Sequence, residues 1–256
     1  FSVDDLEIIQ GSPSSRRRNL DILLSQINAS YIRNLRGYQR IVNQRNHLLR
    51  RIRDHSGTID ELHFWDKEMV EKGASIINSR SRAIDFLNSI ATDKYSEVAN
   101  ENESMTMTYL PSFSFQNGDI EKLKEKFMKM LEDLRTKELT IGQSIIGPHR
   151  DDIKFDINGI DAGRFGSRGQ IRCVALSLRF AEAHLMSVSL NEPPIILLDD
   201  ILSELDDVRR NDVLLSVSKY DQVILTTAVP ITEYLKGYVS DVYNIKNGRI
   251  ITQSAI

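Results

Sequence analysis

Two adjacent carboxylates, Asp199 and Asp200, follow a run of four apolar residues, Ile195 to Leu198. Such a run reads as a strand buried on both faces, and the C-terminal end of a strand is where α/β proteins place ligands. Side by side, two carboxylates repel unless a proton or cation lies between them. A strand-end Asp suits Mg2+, which prefers hard oxygen ligands and arrives with nucleotide phosphates. Its neighbour can orient or deprotonate an attacking water. The same pattern, taken alone, also fits a strand ending in a solvated acidic turn. A second group, Gly166-Ser167-Arg168-Gly169-Gln170, opens a predicted helix that runs to Ser189. Small residues and a hydroxyl at a helix start leave backbone N–H groups free for an anion, although a plain Ser cap after a glycine turn has the same composition.

Spacing connects the two groups. Gly169 precedes Asp199 by 30 residues, enough for one helix, one loop and one strand. Ser203-Glu204-Leu205-Asp206 follows the acids, and a further apolar strand, Val223 to Leu225, ends in Thr226-Thr227. This order of signature turn, helix, acid-tipped strand, Leu-Asp loop and polar-tipped strand resembles that of ATP-binding-cassette (ABC) and chromosome-maintenance ATPases.

The elements that must position these residues fall into three zones. Residues 1–13 read as an extended lead-in, with Ile8-Ile9 as a strand end before the Gly11-Ser12-Pro13 break. Residues 16–140 read as mostly helical. Leu62, Met69, Ile76, Ala83 and Ile90 recur every seven residues, a seam for a partner helix, and Ser56-Gly57-Thr58 separates two helices of an antiparallel hairpin. Met105, Met107 and Tyr109 alternate as in a half-buried strand, Asn117-Gly118-Asp119 marks a break, and Ile120, Leu123, Phe127, Met130 and Leu134 predict another helix. In residues 141–256 strands and helices alternate: Ile153 to Ile157, a turn at Asn158-Gly159, the helix and acid strand above, Gln222 to Thr226, and Val239 to Ile245. The expected fold is α/β, a partial ABC-type head of mixed sheet and helices with a mostly helical arm or lid. Its divisions are 1–15 (strand and linker of the head), 16–140 (arm) and 141–256 (C-terminal half of the head).

Bulk composition narrows the class. The chain has 256 residues, 41% of them hydrophobic and 27% charged, with net charge −3. A lone cysteine, Cys173, excludes an internal disulfide and any multi-cysteine metal site, and predicts a small buried hydrophobe. Histidines 47, 55, 63, 149 and 184 show no metal-ligand spacing, and no apolar run approaches the roughly 20 residues of a membrane span. The arginines are uneven. Residues 16–53 hold ten of them against one acid, Asp21, and no lysine. Arg16, Arg17 and Arg18 form one cluster; Arg33, Arg36, Arg40 and Arg51 share a helical face. Such a stripe fits phosphate contacts without base reading. A solvated face, or pairing of Arg16 to Arg18 with acids such as Asp4 and Asp5, fits it too.

Longer stretches carry a resemblance to the RecF family of bacterial recombination mediators: Gly147-Pro148-His149-Arg150-Asp151-Asp152, Asn158-Gly159, Phe165 to Gln170 and Leu197 to Asp206, with Arg16 to Asp21 and Tyr38 to Asn46 upstream. Ile171 stands where the family usually has a second Gln, and Ala228 where a third Thr is usual. The resemblance implies a dimerising ATPase with two nucleotides sandwiched between heads. Ser167, Arg168, Gly169 and Gln170 would then grip the γ-phosphate of ATP bound by the other subunit. Asp199 would hold Mg2+, Asp200 would stand as catalytic acid, Ser203 and Asp206 would lie in the loop crossing the dimer interface, and Thr227 would stand where transporters carry a switch histidine. Slow hydrolysis follows from those shorter or weaker groups. The implied partners are gapped or junction DNA bound without sequence specificity, other recombination mediators and a second copy; the implied compartment is the cytoplasm. The phosphate-binding loop Gly-x-x-x-x-Gly-Lys-Ser/Thr is not in the sequence. The chain is therefore expected to be a C-terminal fragment that alone binds ATP weakly or not at all and does not hydrolyse it. A non-catalytic helical module for DNA or protein, and the head of another overcoming-lysogenisation-like ATPase, are the alternatives.

Overall fold

The computed structural model describes residues 1–99, 102–115, 118–228 and 240–255. Asn117 and Val239, read above as part of a break and the start of a strand, lie outside them.

The first residues are helical rather than extended. A 3-10 turn, Val3–Leu6, leads into α1, Glu7–Gln10, because Ser2 and Asp5 close a capping box at its start. Ile8 and Ile9 point into the core from this short helix. The Gly11 break and the Ser12 cap, with Pro13 at the first position, then start α2, Pro13–Ile27. Asn28 ends α2 and caps α3, Ala29–Arg53, by accepting hydrogen bonds from the amides of Ser30 and Tyr31. After a turn at 54–59 the chain returns as α4, Asp60–Val98, whose 39 residues extend about 58 Å. Of the heptad seam, Leu62, Met69, Ile76 and Ala83 are buried, and Ile90 is half-buried.

β1, Met105–Leu110, pairs antiparallel with β2, Asp152–Ile157, across the intervening helix α5, Ile120–Ile141. Asn158 and Gly159, both at positive φ, make the tight turn into β3, Ile160–Asp161. A one-turn helix, α6 (Ala162–Phe165), precedes α7, Arg168–Leu190. Composition alone would let α7 cross a membrane, but half of its apolar stretch is buried here, where it packs along α4 as a core helix. β4, Ile195–Asp199, and β5, Gln222–Thr226, are parallel neighbours joined through a 3-10 turn, Ile201–Glu204, and α8, Asp207–Val217. Phe1 bonds to the opposite edge of β4, donating to the Leu197 carbonyl and accepting from the Asp199 amide. The acid strand was read as buried on both faces; the described residues bury only one. Ile196 and Leu198 are in the core, whereas Ile195 and Leu197 are 58% and 57% exposed. β6, Asp241–Lys246, and β7, Arg249–Ala255, form a separate hairpin about Asn247-Gly248.

A buried ionic cluster locks α3, α4 and α5 together. Arg45, Asp66 and Glu138 have fully buried side chains. Arg45 Nε donates to Asp66 at 2.7 Å and Nη1 donates to Ser144 Oγ at 2.8 Å. Its Nη2 lies 2.7 Å from Glu138 Oε2 as an ion pair, off the line of a directed hydrogen bond. Arg135 holds the other Asp66 oxygen at 2.9 Å. Burial opposes the Arg45 charge, but Glu138 and Asp66 more than offset it, so its pKa is raised.

The Gly147–Asp152 motif is the junction where the helices meet the sheet. Arg80 on α4 donates to the Pro148 carbonyl at 2.5 Å and pairs with Asp21 at 2.8 Å. Arg17 donates to the Asp151 carbonyl at 2.6 Å, and Arg16 pairs with Asp152 at 2.7 Å. The buried Asp151 carboxylate accepts from Tyr109 Oη and from the Ser112 amide. Burial raises the Asp151 pKa despite these bonds.

His149 completes the junction, and its partners fix its tautomer. Its Nε2 faces the Ser144 carbonyl at 3.1 Å and so carries the proton, which leaves Nδ1 to accept from Tyr38 Oη at 2.8 Å. Burial lowers its pKa from 6.5 to about 4. The unfolded chain therefore binds a proton between these values that the folded chain does not. Stability is full above pH 6.5 and falls as pH drops towards 4, by up to about 3 kcal/mol from this one group. Urea unfolding of the wild type and of His149→Gln at pH 7.5 and 5 measures this: the wild type is expected to lose more stability on acidification than the variant.

Candidate functional site

The acid pair sits where two parallel strands end together. Asp199 is the last residue of β4, beside Thr226, the last of β5. Thr226 Oγ1 donates to Asp199 Oδ1 at 2.5 Å. Asp200 turns out of the sheet with φ 47°, left-handed backbone that Asp adopts more readily than most residues. Bonds to the end of β5 and the residues just past it hold it there: its amide donates to the Thr226 carbonyl at 3.1 Å and to Thr226 Oγ1 at 3.0 Å, and its Oδ1 accepts from the Ala228 amide at 3.3 Å. Thr227 lies between these anchors. The parallel register thus brings Asp199 and Asp200 to one exposed edge with Thr227, which lies 28 and 27 residues further along the sequence.

Ser203 and Asp206 follow on the same excursion. Ser203 Oγ donates to the Asp200 carbonyl at 2.9 Å, and Asp206 caps α8 by accepting from the Arg209 amide at 3.0 Å. Arg209 was not singled out from the sequence. Its Nη1 pairs with Asp206 at 3.2 Å and lies over Gly169, where an added Cβ would come within 2.7 Å of it. The signature turn therefore lies against the first turn of α8, which follows the loop that leads from the acids.

That turn is itself built as the composition suggested. Ser167 Oγ accepts from the Gln170 amide at 3.2 Å, and Gln170 Oε1 accepts from the Ser167 amide at 2.8 Å, a reciprocal capping box. Gln170 Nε2 also donates to Glu103 at 3.0 Å, and Tyr95 on α4 holds the other Glu103 oxygen at 2.8 Å. Ser167 and Arg168 are exposed at this helix start. Neither Glu103 nor Tyr95 carries a sequence signal, because both act across the fold. Cys173, one turn on, is buried, and burial raises its pKa to about 11, so it is an inert thiol.

The arginine zone divides. Arg16 and Arg17 belong to the Gly147–Asp152 junction, Arg45 to the buried cluster, and Arg51 donates to the Ser56 carbonyl at 2.8 Å and faces Glu61 at 3.8 Å. Asp5 pairs with Arg179 rather than with Arg16 to Arg18. Arg18, Arg33, Arg36 and Arg40 are exposed and have no ion pair or hydrogen bond among the described residues.

The donor set at the acid edge fits Mg2+ with nucleotide. One exposed strand-end carboxylate beside a second suits an ion that keeps most of its shell as water and phosphate oxygens. The described residues contain no cluster of three or more acids, histidines or cysteines able to hold a metal by themselves.

No family model matches the sequence. Known proteins nonetheless resemble it along nearly its whole length. DNA replication and repair protein RecF of Staphylococcus aureus strain JH9 is 37% identical over 254 residues, covering 98% of this chain and 69% of the relative, and the strain Newman protein gives the same figures. Among solved structures, the recombination mediator protein RecF–ATPrS of the RecFOR pathway superposes with a TM-score of 0.83 at 31% identity, over 98% of this chain and 66% of that one. An Smc head domain from Pyrococcus furiosus shares the fold alone, with a TM-score of 0.54 at 13% identity over 99% of this chain and 61% of that one. The α/β architecture is therefore that of a partial ABC-type head, and by sequence and structure together the chain belongs to the RecF family.

Proposed function

We propose that this chain is the signature and acid half of an ATP-dependent DNA-binding recombination mediator, which acts in the cytoplasm at gapped or junction DNA and helps to load recombinase in repair and replication restart. The observation that carries this reading is the acid edge: Asp199 and Asp200 are tied to the tip of the neighbouring parallel strand, with Thr227 between the ties. In this reading ATP and Mg2+ come to that edge, and the metal offsets charge on the phosphates when bound. Asp199 is the carboxylate that faces it. Asp200, fixed by the Thr226 and Ala228 bonds, orients the attacking water, and Thr227 adds a weak polar contact, so turnover in the intact protein is slow. Ser167, Arg168, Gly169 and Gln170 form the helix start turned to the γ-phosphate held by a second copy, with the Arg168 and Gly169 amides as its donors outside the capping box, and Ser203 and Asp206 lie at that dimer interface. Two heads closed on ATP would act as a clamp on DNA beside partner mediators. Residues 16–140 form the arm and 141–256 the head half, with 1–15 attached to the head.

Two titrations test the reading on the chain itself. Without a phosphate loop it should show no micromolar affinity for a fluorescent ATP analogue; finding one would refute the predicted inactivity. Its DNA affinity should fall with salt on a log–log plot. Replacing Arg33, Arg36 and Arg40 by glutamate should flatten that slope by about 3, near 0.9 per lost phosphate contact. An unchanged slope would remove these arginines from the interface.

A further inference from the structure

An open cleft of about 730 Å3 lies between α2, α3 and the Pro148–His149 turn. Its wall chemistry is unusual for a gap between helices. Arg17, Arg18, Arg36 and Arg80 line it against a single acid, Asp21. Arg17 and Arg80 are consumed by the junction, and Asp21 is consumed by Arg80 and Tyr31. Arg18 and Arg36 are left as unpaired guanidiniums among the described residues. Apolar side chains, Ile22, Ile32, Leu35 and Pro148, share the lining with the buried Tyr38. Two amides, Gln26 and Gln39, are exposed on its walls and make no hydrogen bond among the described residues.

We propose that this cleft receives one unpaired base of a single-stranded nucleic acid whose backbone runs along Arg33, Arg36 and Arg40. The inference rests on the nucleic-acid reading of those arginines. Three matches carry it. Arg36 belongs both to the cleft wall and to the exposed arginine ridge of α3, with Arg33 and Arg40 about one turn to either side, so a strand on the ridge passes the cleft mouth. The exposed guanidiniums suit phosphates, and apolar lining with free amides suits the faces and edge of a base. The volume is ample for a nucleotide, within the range of small-ligand sites. A base stacked in a duplex cannot enter unless it is flipped out, so the ridge serves either form of DNA while the cleft rewards a single strand. An acidic peptide would use the arginines but leave the apolar lining and the amides unmatched.

The test is fluorescence anisotropy at one fixed salt concentration with three labelled probes: a mixed-sequence single strand, the same strand made wholly abasic, and a blunt duplex. The chain is compared with Gln26→Ala/Gln39→Ala/Ile22→Ser, which alters three exposed cleft positions and no charge; circular dichroism and a melting curve check that it folds. The wild type should bind the intact strand about 5-fold or more tightly than the abasic strand, the lower end of what one bound base contributes. The variant should lose that preference while keeping its affinity for the abasic strand and the duplex. Equal wild-type binding of intact and abasic strands overturns the proposal, as does a preference that survives in the variant. If none of the three probes binds, the nucleic-acid reading of the arginine ridge is what fails, and the cleft proposal falls with it.

Discussion

Replacing Arg45 by methionine is expected to lower the unfolding free energy by about 3–5 kcal/mol, the usual cost of breaking a buried ion pair from one side. The reason is what the substitution leaves behind. Asp66 and Glu138 have fully buried side chains, and Arg45 is the cation they share. Asp66 retains Arg135. Among the described residues, Glu138 retains only the Ile145 amide, at 2.9 Å, as a hydrogen-bond donor to its carboxylate. An uncompensated carboxylate in that position must take up a proton or draw water into the helix interface, and either loosens the α3–α4–α5 packing. Urea denaturation measures the change: the midpoint should fall with little change in slope, since the surface exposed on unfolding stays nearly the same. Arg45→Met combined with Glu138→Met should recover part of the loss, because removing both charges leaves an apolar contact. A single-variant loss under about 1 kcal/mol would mean that water already solvates the cluster. Stability of this size is a large fraction of the 5–15 kcal/mol typical of a domain, so the single variant should also melt at visibly lower temperature.

A second large effect is expected for Gly147→Ala, about 4 kcal/mol of destabilisation. Two independent costs meet there. Gly147 has φ 113°, a backbone region that residues with a Cβ scarcely enter, which costs roughly 1–3 kcal/mol. The added methyl would also collide with Tyr38 Oη and come within 3.0 Å of Phe127 Cζ and 3.2 Å of Met69 Cε. Overpacking of that kind costs a further ~1–3 kcal/mol. The consequence reaches beyond stability. Moving Tyr38 breaks its bond to His149, and the Pro148 carbonyl held by Arg80 is the adjacent link. The α2–α3 cleft shares Tyr38, Pro148 and His149, so the variant should also weaken single-strand binding at temperatures where it remains folded. Gly159→Ala is the control. It too has positive φ, but an added Cβ meets nothing within 4 Å, so it should cost only the backbone strain. Equal losses for the two variants would show that crowding at Gly147 adds nothing.

Much of the secondary structure was legible because its signals are local. The capping box at Ser167 and Gln170, the Asn158-Gly159 turn and the heptad seam of α4 each depend on residues within a few positions of one another, where hydrogen bonding and side-chain period act directly. The short helix at residues 7–10 was misread because Ile8-Ile9 before a glycine and a proline satisfies a strand end as well as a helix end. The deciding bond, between Ser2 and Asp5, is a weak cap signal in so short a segment. The acid strand was misread in one respect for a similar reason: a continuous apolar run states that both faces are apolar, not that both are covered.

The sequence by itself determined which groups stand at the acid edge and the helix start, since residue type and spacing settle which groups reach a strand tip or a first helical turn. Only the tertiary structure decided how the arginines divide. Arg17 and Arg18 are neighbours of the same type, yet one is anchored to the Asp151 carbonyl and the other is unpaired among the described residues. The same holds for Arg45 and Arg40, one in the core and one in solvent. Their charge is identical before folding, although Arg45 already falls in the apolar register of Tyr38, Val42 and Leu49. What separates these residues is whether a carboxylate or carbonyl from a distant part of the chain arrives within about 3 Å, and that is a property of packing, which no stretch of sequence carries alone.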